Sequence, residues 1–366
     1  MKSDRHKPDY ILLSVAVILL LLGIVIIVSV STATSQEKFG SPNFYLFHHL
    51  IFGILLGILL GFAAYKLSLA FWKKWAAPLL LFNLFLMLLV LFPIIGITSG
   101  GANRWINLGF TSLQPSEFLK LTFILYLASW LPSLKEKVKN NLSKTLAAFL
   151  TVVGLIGILL ILQSNVSTLS IIVICGILMY FISGTPIKHS LAIILGGLII
   201  LALLIKIAPY RLERIAVFIK PDIDPMGISY QVKQLLITVG SGGILGKGPG
   251  MSLQKFGFLP QPMGDSIFAF FAEETGFIGG LILILLFLIF TWRGLKIAKE
   301  MTNSFNQLAC LGITSWITIQ ALVNIGAIVG ILPLTGIPLP FISYGGSAMV
   351  AELVGVGILL NISKKT

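Results

Sequence analysis

Charge is scarce in this chain. Asp, Glu, Lys and Arg make up 11% of its 366 residues, against roughly 25% in soluble domains. That shortage excludes a water-soluble globular protein. Acidic side chains are the rarer sign, 13 against 26 Lys and Arg, which leaves a net charge of +13. Cysteine is nearly absent. Cys175 and Cys310 stand far apart inside apolar runs, so neither a disulfide framework nor a thiolate metal site follows, and both read as small buried hydrophobes. Alternation of polar and apolar residues is missing too, which argues against the strands of a membrane barrel. No internal repeat emerges.

What is present is hydrocarbon-like sequence, 57% of the residues, in runs near the ~20 residues that cross a bilayer as helix. Ten spans are expected, at about 10–31, 46–65, 76–95, 115–132, 145–162, 166–183, 190–207, 266–291, 305–330 and 346–362. The fold class is therefore an all-α polytopic membrane protein, a single membrane domain over 1–366. A long extracytoplasmic loop, about 208–265, joins the seventh and eighth spans. The first run lacks a small-residue cleavage site and reads as the first transmembrane helix rather than a removed signal.

The positive charge is distributed as a membrane orientation signal, not as a nucleic-acid footprint. With the N-terminus in the cytoplasm, Lys2, Arg5, Lys7, Lys66, Lys73, Lys74, Lys135, Lys137, Lys139, Lys144, Lys188, Arg293, Lys296, Lys299, Lys364 and Lys365 lie inside. The short outer connections then hold only Lys38 and Arg104, as the positive-inside rule requires. An even number of spans returns the C-terminus to the cytoplasm.

Three outer segments are more elaborate than a turn requires. Gly96–Gln114 is rich in Gly, Asn and Ser and sets Trp105 beside Arg104. The 208–265 loop mixes apolar stretches with Arg211, Arg214, Lys220, Lys233, Lys247 and Lys255, a mixture expected to form amphipathic segments at the interface. Leu332–Ser347 carries three prolines and a Gly pair. Proline rejects an ordinary helix, so this segment is expected to be irregular and folded back into the bundle.

Carboxylates in such a chain need a reason to be there, because an ionisable group within a membrane is a functional hypothesis by default. Asp265 stands where a Gly/Pro-rich basic loop meets the eighth span. A carboxylate there suits a helix N-cap; it also suits proton transfer in a partly desolvated mouth. Glu117 and Lys120, three residues apart on one helix face, are either a structural ion pair or the lining of a polar cavity. Glu273 and Glu274 lie about 100° apart on a helix, so they cannot face one cavity together. Glu352 and Lys206 read as structural, Lys206 by snorkelling. His48 and His49 read as interfacial, and Asp222 and Asp224 as a turn rather than a metal pair.

Three stretches together carry a resemblance: NRWINLGFTSLQPSEFLKL (103–121), YQVKQLLITVGSGGILGKGPGMSLQKFGFLPQPMGDSIFAFFAEETGFIG (230–279) and GILPLTGIPLPFISYGGSAM (330–349). With the ten-span topology, they make the chain resemble the SEDS family (shape, elongation, division and sporulation) of peptidoglycan polymerases, in wording closer to the FtsW-like division branch than to the RodA-like elongation branch. The resemblance implies a glycosyltransferase that polymerises lipid II at the outer face of the cytoplasmic membrane. The family's essential loop aspartate maps onto Asp265, its embedded Glu–Lys pair onto Glu117 and Lys120, and its loop tryptophan onto Trp105. Arg211 foremost, then Arg214, Lys247 and Lys255, are the basic candidates for the leaving pyrophosphate, with Glu273 and Glu274 supporting the cavity. A divalent cation (Mg²⁺ or Mn²⁺) would share that work, although no ligand cluster is visible in the sequence. The implied partners are a class B penicillin-binding protein transpeptidase and other divisome or elongasome membrane proteins. One departure stands out. Where family members carry a Gln-Pro-Asp-Leu-Gly-like motif, this chain reads Gln163-Ser164-Asn165-Val166-Ser167. Two other functions compete: a lipid II flippase or transporter, and a non-catalytic scaffold for division proteins.

Overall fold

The computed structural model describes residues 7–92, 94–99, 102–138, 142–207, 209–221, 223, 229–252, 254–255 and 262–365. Helices occupy all ten expected positions. They are α1 (Tyr10–Phe39), the pair α2 (Phe44–His49) and α3 (Leu56–Lys66), α4 (Leu69–Leu89), α5 (Pro115–Val138), α6 (Leu142–Leu162), α7 (Val166–Ile182), α8 (Ile187–Ile207), α11 (Ile267–Glu300), α12 (Ser304–Ile328) and α13 (Gly346–Ser363). Between α8 and α11 come α9 (Pro209–Ile219) and α10 (Tyr230–Ser241). Seven of the spans are long and apolar enough by themselves to cross a membrane. Val166–Ile182 and Ile187–Ile200 are apolar but shorter, and α5 carries a buried ion pair.

Three spans depart from the continuous helices expected. The second is split by a π-helical turn, Leu50–Leu55, between α2 and α3. The third begins at Leu69, seven residues before the expected 76, because Ser68 accepts from Phe71 N–H and caps the helix ahead of Lys73 and Lys74. The eighth is interrupted at Gly276 (φ 69°, ψ −168°), a conformation open essentially to glycine alone. A loop fills that break. Phe277 and Ile278 N–H donate to the carbonyls of Gly243 and Ile244, while Lys247 and Gly248 N–H donate to those of Glu273 and Glu274. Irregular backbone at membrane depth survives where protein satisfies its polar groups.

Both chain ends meet at one face. The Asp9 N–H donates to Ser363 Oγ (3.0 Å), and its carboxylate caps α1 at Leu12 N–H (2.8 Å) while pairing with Arg293 of α11. We call this the termini face. The opposite, loop face carries α9, α10 and a three-stranded antiparallel sheet, β1 (Gly96–Ser99), β2 (Ala102–Asn107) and β3 (Ser112–Leu113), in order β1-β2-β3. Ile97 pairs with Trp105 and Ile106 with Leu113, and a bulge follows Ile97. The core lies along α12 and α13, most of whose residues are buried, with α13 laid closely on α3. Gly357 permits that approach: a Cβ there would come within 2.1 Å of Gly61 O.

Candidate active site

The irregular segment after α12 returns into the bundle at the loop face. Leu339, Phe341 and Ile342 are buried, and Phe341 sits at φ 63°. Pro333, Pro338 and Pro340 deprive this stretch of N–H donors, so its carbonyls must be met by side chains. Gln320 and Asn324, one turn apart on α12, do this. Gln320 Nε2 donates to Pro338 O (3.1 Å) and Asn324 Nδ2 to Ile337 O (2.7 Å). Glu352 of α13 accepts from Phe341 N–H (2.8 Å) and from Gln320 Nε2 (3.3 Å).

Glu117 and Lys120 join this network from α5. Lys120, 2% exposed, reaches Glu117 Oε2 at 2.7 Å and Gln320 Oε1 at 2.6 Å, beneath the Trp316 ring. Glu117 also lies in the first turn of α5, where the helix N-terminus favours negative charge. Neither residue touches Asp265. Their influence runs through Gln320 to the returning segment, which meets Asp265 at Gly336: a Cβ there would lie 3.7 Å from Asp265 Oδ2.

Asp265 precedes α11 and is tied down by its surroundings. Its carbonyl accepts from Asn324 Nδ2 (2.8 Å), Ser343 Oγ donates to Gly264 O (2.7 Å), and Tyr344 N–H donates to Met263 O (2.8 Å). Tyr344 in turn bonds His48 Nδ1 of α2 at 2.9 Å. Burial pushes the Asp265 carboxyl above its ordinary range; its own N–H, the Arg214 guanidinium and the Ser266 N–H pull the other way. The expected N-cap role goes unfilled, since Ser266 holds the cap position and makes no side-chain cap bond. The carboxylate is thus not spent on a helix cap, and the two N–H groups that reach it are its own and that of Ser266.

Arg214 projects from α9 beside a cavity of about 280 Å³ lined also by Glu213, Gln231, Leu332 and Pro333, and donates to Leu334 O (3.1 Å). The side chain of Arg211, on the same helix, and the pair Asp222 and Asp224 lie outside the described residues. The other basic candidates are engaged elsewhere. Lys247 Nζ pairs with Glu273 Oε1 at 2.7 Å, and Lys255 donates to Gly250 O. Glu273, fully buried, also accepts from Ser241 and Ser252, and so staples the loop that plugs the α11 break. Glu274 points away from it, toward Ser29 of α1. Trp105 stands half-exposed on β2, opposite Ile97 of β1 and next to the bulge at Arg104. Among the described residues no group of three His, Cys, Asp or Glu gathers to hold a metal ion, and Asp265 lies beside Arg214, so a divalent cation here would lean on substrate phosphates for its other ligands.

The departing motif also has a structural account. Asn165 caps α7 through Thr168 N–H (3.3 Å) and donates to Ser116 Oγ (3.2 Å), doing with an amide what a carboxylate would do at an N-cap. Ser167 Oγ donates to Thr335 O (2.6 Å), next to Gly336. Arg104 of β2 holds the carbonyls of Gln163 (3.1 Å) and Ser164 (2.5 Å). Below the loop face an apolar groove of about 610 Å³ runs between α11 and α12, from Phe268 and Ala272 down to Thr291 and Thr318.

Fold and site together define a polytopic helical membrane protein with a partly buried carboxyl, a guanidinium and an apolar groove converging at one face. The chain belongs to the FtsW/RodA/SpoVE family of cell cycle proteins, whose model matches residues 10–366. It is 37% identical to stage V sporulation protein E of Bacillus subtilis over 367 residues, covering 100% of this chain and 99% of that one. It is 39% identical to the probable peptidoglycan glycosyltransferase FtsW of Coxiella burnetii over 343 residues, 92% of this chain and 91% of the relative. Among solved structures it resembles a chain from a peptidoglycan synthase complex studied for the coordination of polymerization and crosslinking (TM-score 0.78, 27% identity, 98% of each chain). The crystal structure of the rod shape determining protein RodA of Thermus thermophilus is similar as well (TM-score 0.72, 27% identity, 98% of this chain and 97% of that one).

Proposed function

We propose that this chain is a peptidoglycan glycosyltransferase that polymerises lipid II, with its loop face outside the cytoplasm as the lysine distribution demands. The observation that carries the reading is Asp265: a carboxyl outside the spans, raised by burial, beside Arg214 and anchored on every side through its backbone. A carboxylate so tuned is a competent general base. It takes the proton from the acceptor sugar's 4-hydroxyl as that oxygen bonds to the donor's anomeric carbon. The bond from that carbon to the pyrophosphate oxygen breaks, and undecaprenyl pyrophosphate leaves with the electron pair. One attack from the opposite face inverts the anomeric centre. Arg214 stabilises the charge gathering on the leaving group, joined by Arg211 from the same helix, while the groove between α11 and α12 offers apolar room for a prenyl chain. Trp105, half-exposed on β2, offers an aromatic ring on which a sugar can stack. Lys247 serves this site through Glu273 rather than by binding substrate.

The partner in this reading is a class B penicillin-binding protein transpeptidase; similarity to a complex that couples polymerization to crosslinking supports it. Asp265→Asn keeps size and removes the base. Purified protein carrying it should make no glycan strands from lipid II, and strand synthesis at the normal rate refutes the assignment. The break in α11 favours a second reading, because discontinuous helices build transporter sites. Movement of labelled lipid II across liposomes without chain growth would decide for that reading.

A further inference from the structure

Asn324 makes an unusual use of one amide. Both protons of Nδ2 are spent on backbone carbonyls from two separate segments, Asp265 O at 2.8 Å and Ile337 O at 2.7 Å. The side chain is 2% exposed, and its Oδ1 is buried without a partner among the described residues. Reversing the amide would turn an oxygen toward two carbonyls, so the hydrogen-bond pattern itself assigns the orientation. An acceptor is left orphaned so that two donors can act. Gln320, one turn earlier, shows what holding the returning segment alone requires: one carbonyl, Pro338 O, and one carboxylate, Glu352. Asn324 does more than that, since its second proton goes to the residue that carries the carboxyl.

We propose that Asn324 is a positioning residue for the reaction, fixing Asp265 against the returning segment so that its carboxyl faces the acceptor hydroxyl from a partly desolvated pocket. The inference rests on Asp265 acting as the base. No other side chain among the described residues bonds Asp265 O in the structure, whereas Gly264 and Met263 are held separately by Ser343 Oγ and Tyr344 N–H. Losing Asn324 would therefore free this residue while leaving its predecessors in place. The carboxyl would then swing toward water, lose part of its desolvation and titrate nearer an ordinary Asp.

Among the described residues few other charges complicate that titration. Arg214 faces Asp265 from α9. The first ionisable groups along α11 are Glu273 and Glu274, held by Lys247 and Ser29. The returning segment offers Tyr344, bonded to His48, and α12 presents only neutral amides.

The test is the pH–rate profile of lipid II polymerisation by purified Asn324→Leu, normalised to folded protein, with Asn324→Ser as the milder variant should leucine prevent accumulation. Asn361→Leu is the control. Its amide likewise bridges two backbone carbonyls, Ala64 O and Leu67 O, but at the termini face. Asn324→Leu is expected to lower kcat on the order of 10–100-fold, the scale of a misplaced catalytic group, and to move the acidic limb to lower pH. Asn361→Leu should reduce yield and leave the limb in place. An unmoved limb in the Asn324 variants, whatever their rate, overturns the proposal, as does an equal displacement in Asn361→Leu. Asp265→Asn run alongside separates the two failures. Activity there removes the base itself; inactivity there with a wild-type profile for Asn324→Leu removes only the role of Asn324.

Discussion

Replacing Gly276 with alanine tests the architecture that presents Asp265. A Cβ at this position would lie 2.3 Å from Gly246 N and 2.5 Å from Ile244 O. Both are backbone atoms, so no rotamer change relieves the overlap. The added methyl either forces the loop out of the break or forces Gly276 out of its φ of 69°. Expelling the loop forfeits four backbone hydrogen bonds, those of Phe277, Ile278, Lys247 and Gly248, worth about 1 kcal/mol each. Keeping the loop instead holds the alanine in a strained conformation at roughly 1–3 kcal/mol, with the backbone overlap added. A loss of about 4 kcal/mol is a large share of the whole stability of many proteins, about 5–15 kcal/mol. Gly276→Ala should therefore accumulate poorly and unfold at a markedly lower temperature in detergent, read by intrinsic fluorescence or by size-exclusion after a heat step. A Gly276→Ala protein that is purified in normal yield and melts within a degree or two of the parent would show that the loop is not structurally coupled to the break.

Three further outcomes are expected. Lys120→Met should destabilise by about 3–5 kcal/mol by leaving Glu117 buried and unpaired, and adding Glu117→Gln should restore much of the loss; equal melting of single and double variants contradicts this. Polymerisation should rise with pH through a limb above the ordinary Asp value of about 3.9, because burial raises the Asp265 pKa and only the deprotonated form accepts a proton; a rate flat from pH 4 to 7 contradicts it. Ser167→Ala removes the hydroxyl that holds Thr335 O and should cost about 1 kcal/mol with a several-fold loss of rate, measured as strand synthesis per folded molecule; an unchanged rate would confine Ser167 to α7.

The spans were legible because lipid imposes a length and a composition that few other folds share. Asp265 was legible as a carboxyl at the end of an apolar run, and Glu117 with Lys120 as opposite charges on one helix face. What escaped depends on distant sequence. The run through Gly276 reads as continuous helix, since its break exists only when Gly243–Gly248, some thirty residues earlier, enters it. Lys73 and Lys74 suggested a later start for α4, yet Ser68 caps the helix before them. Gln320 and Asn324 lie within an apolar span that reads as plain membrane helix, yet two amides four residues apart are a usable signal, because buried polar side chains in a membrane must find partners. The sheet at 96–113 was hidden by its Gly, Asn and Ser content, which reads as loop until its strands pair.

Strand β2 serves two sides at once. Arg104 is the extra residue at the bulge, between Asn103 and Trp105, and it holds the connection between α6 and α7, while Trp105 keeps its place in the ladder opposite Ile97. That irregularity lets one residue leave the alternation of the sheet and reach a neighbouring connection. Deleting Arg104 would let the ladder run evenly from Ala102 to Ile106 and would release the carbonyls of Gln163 and Ser164 in the same step.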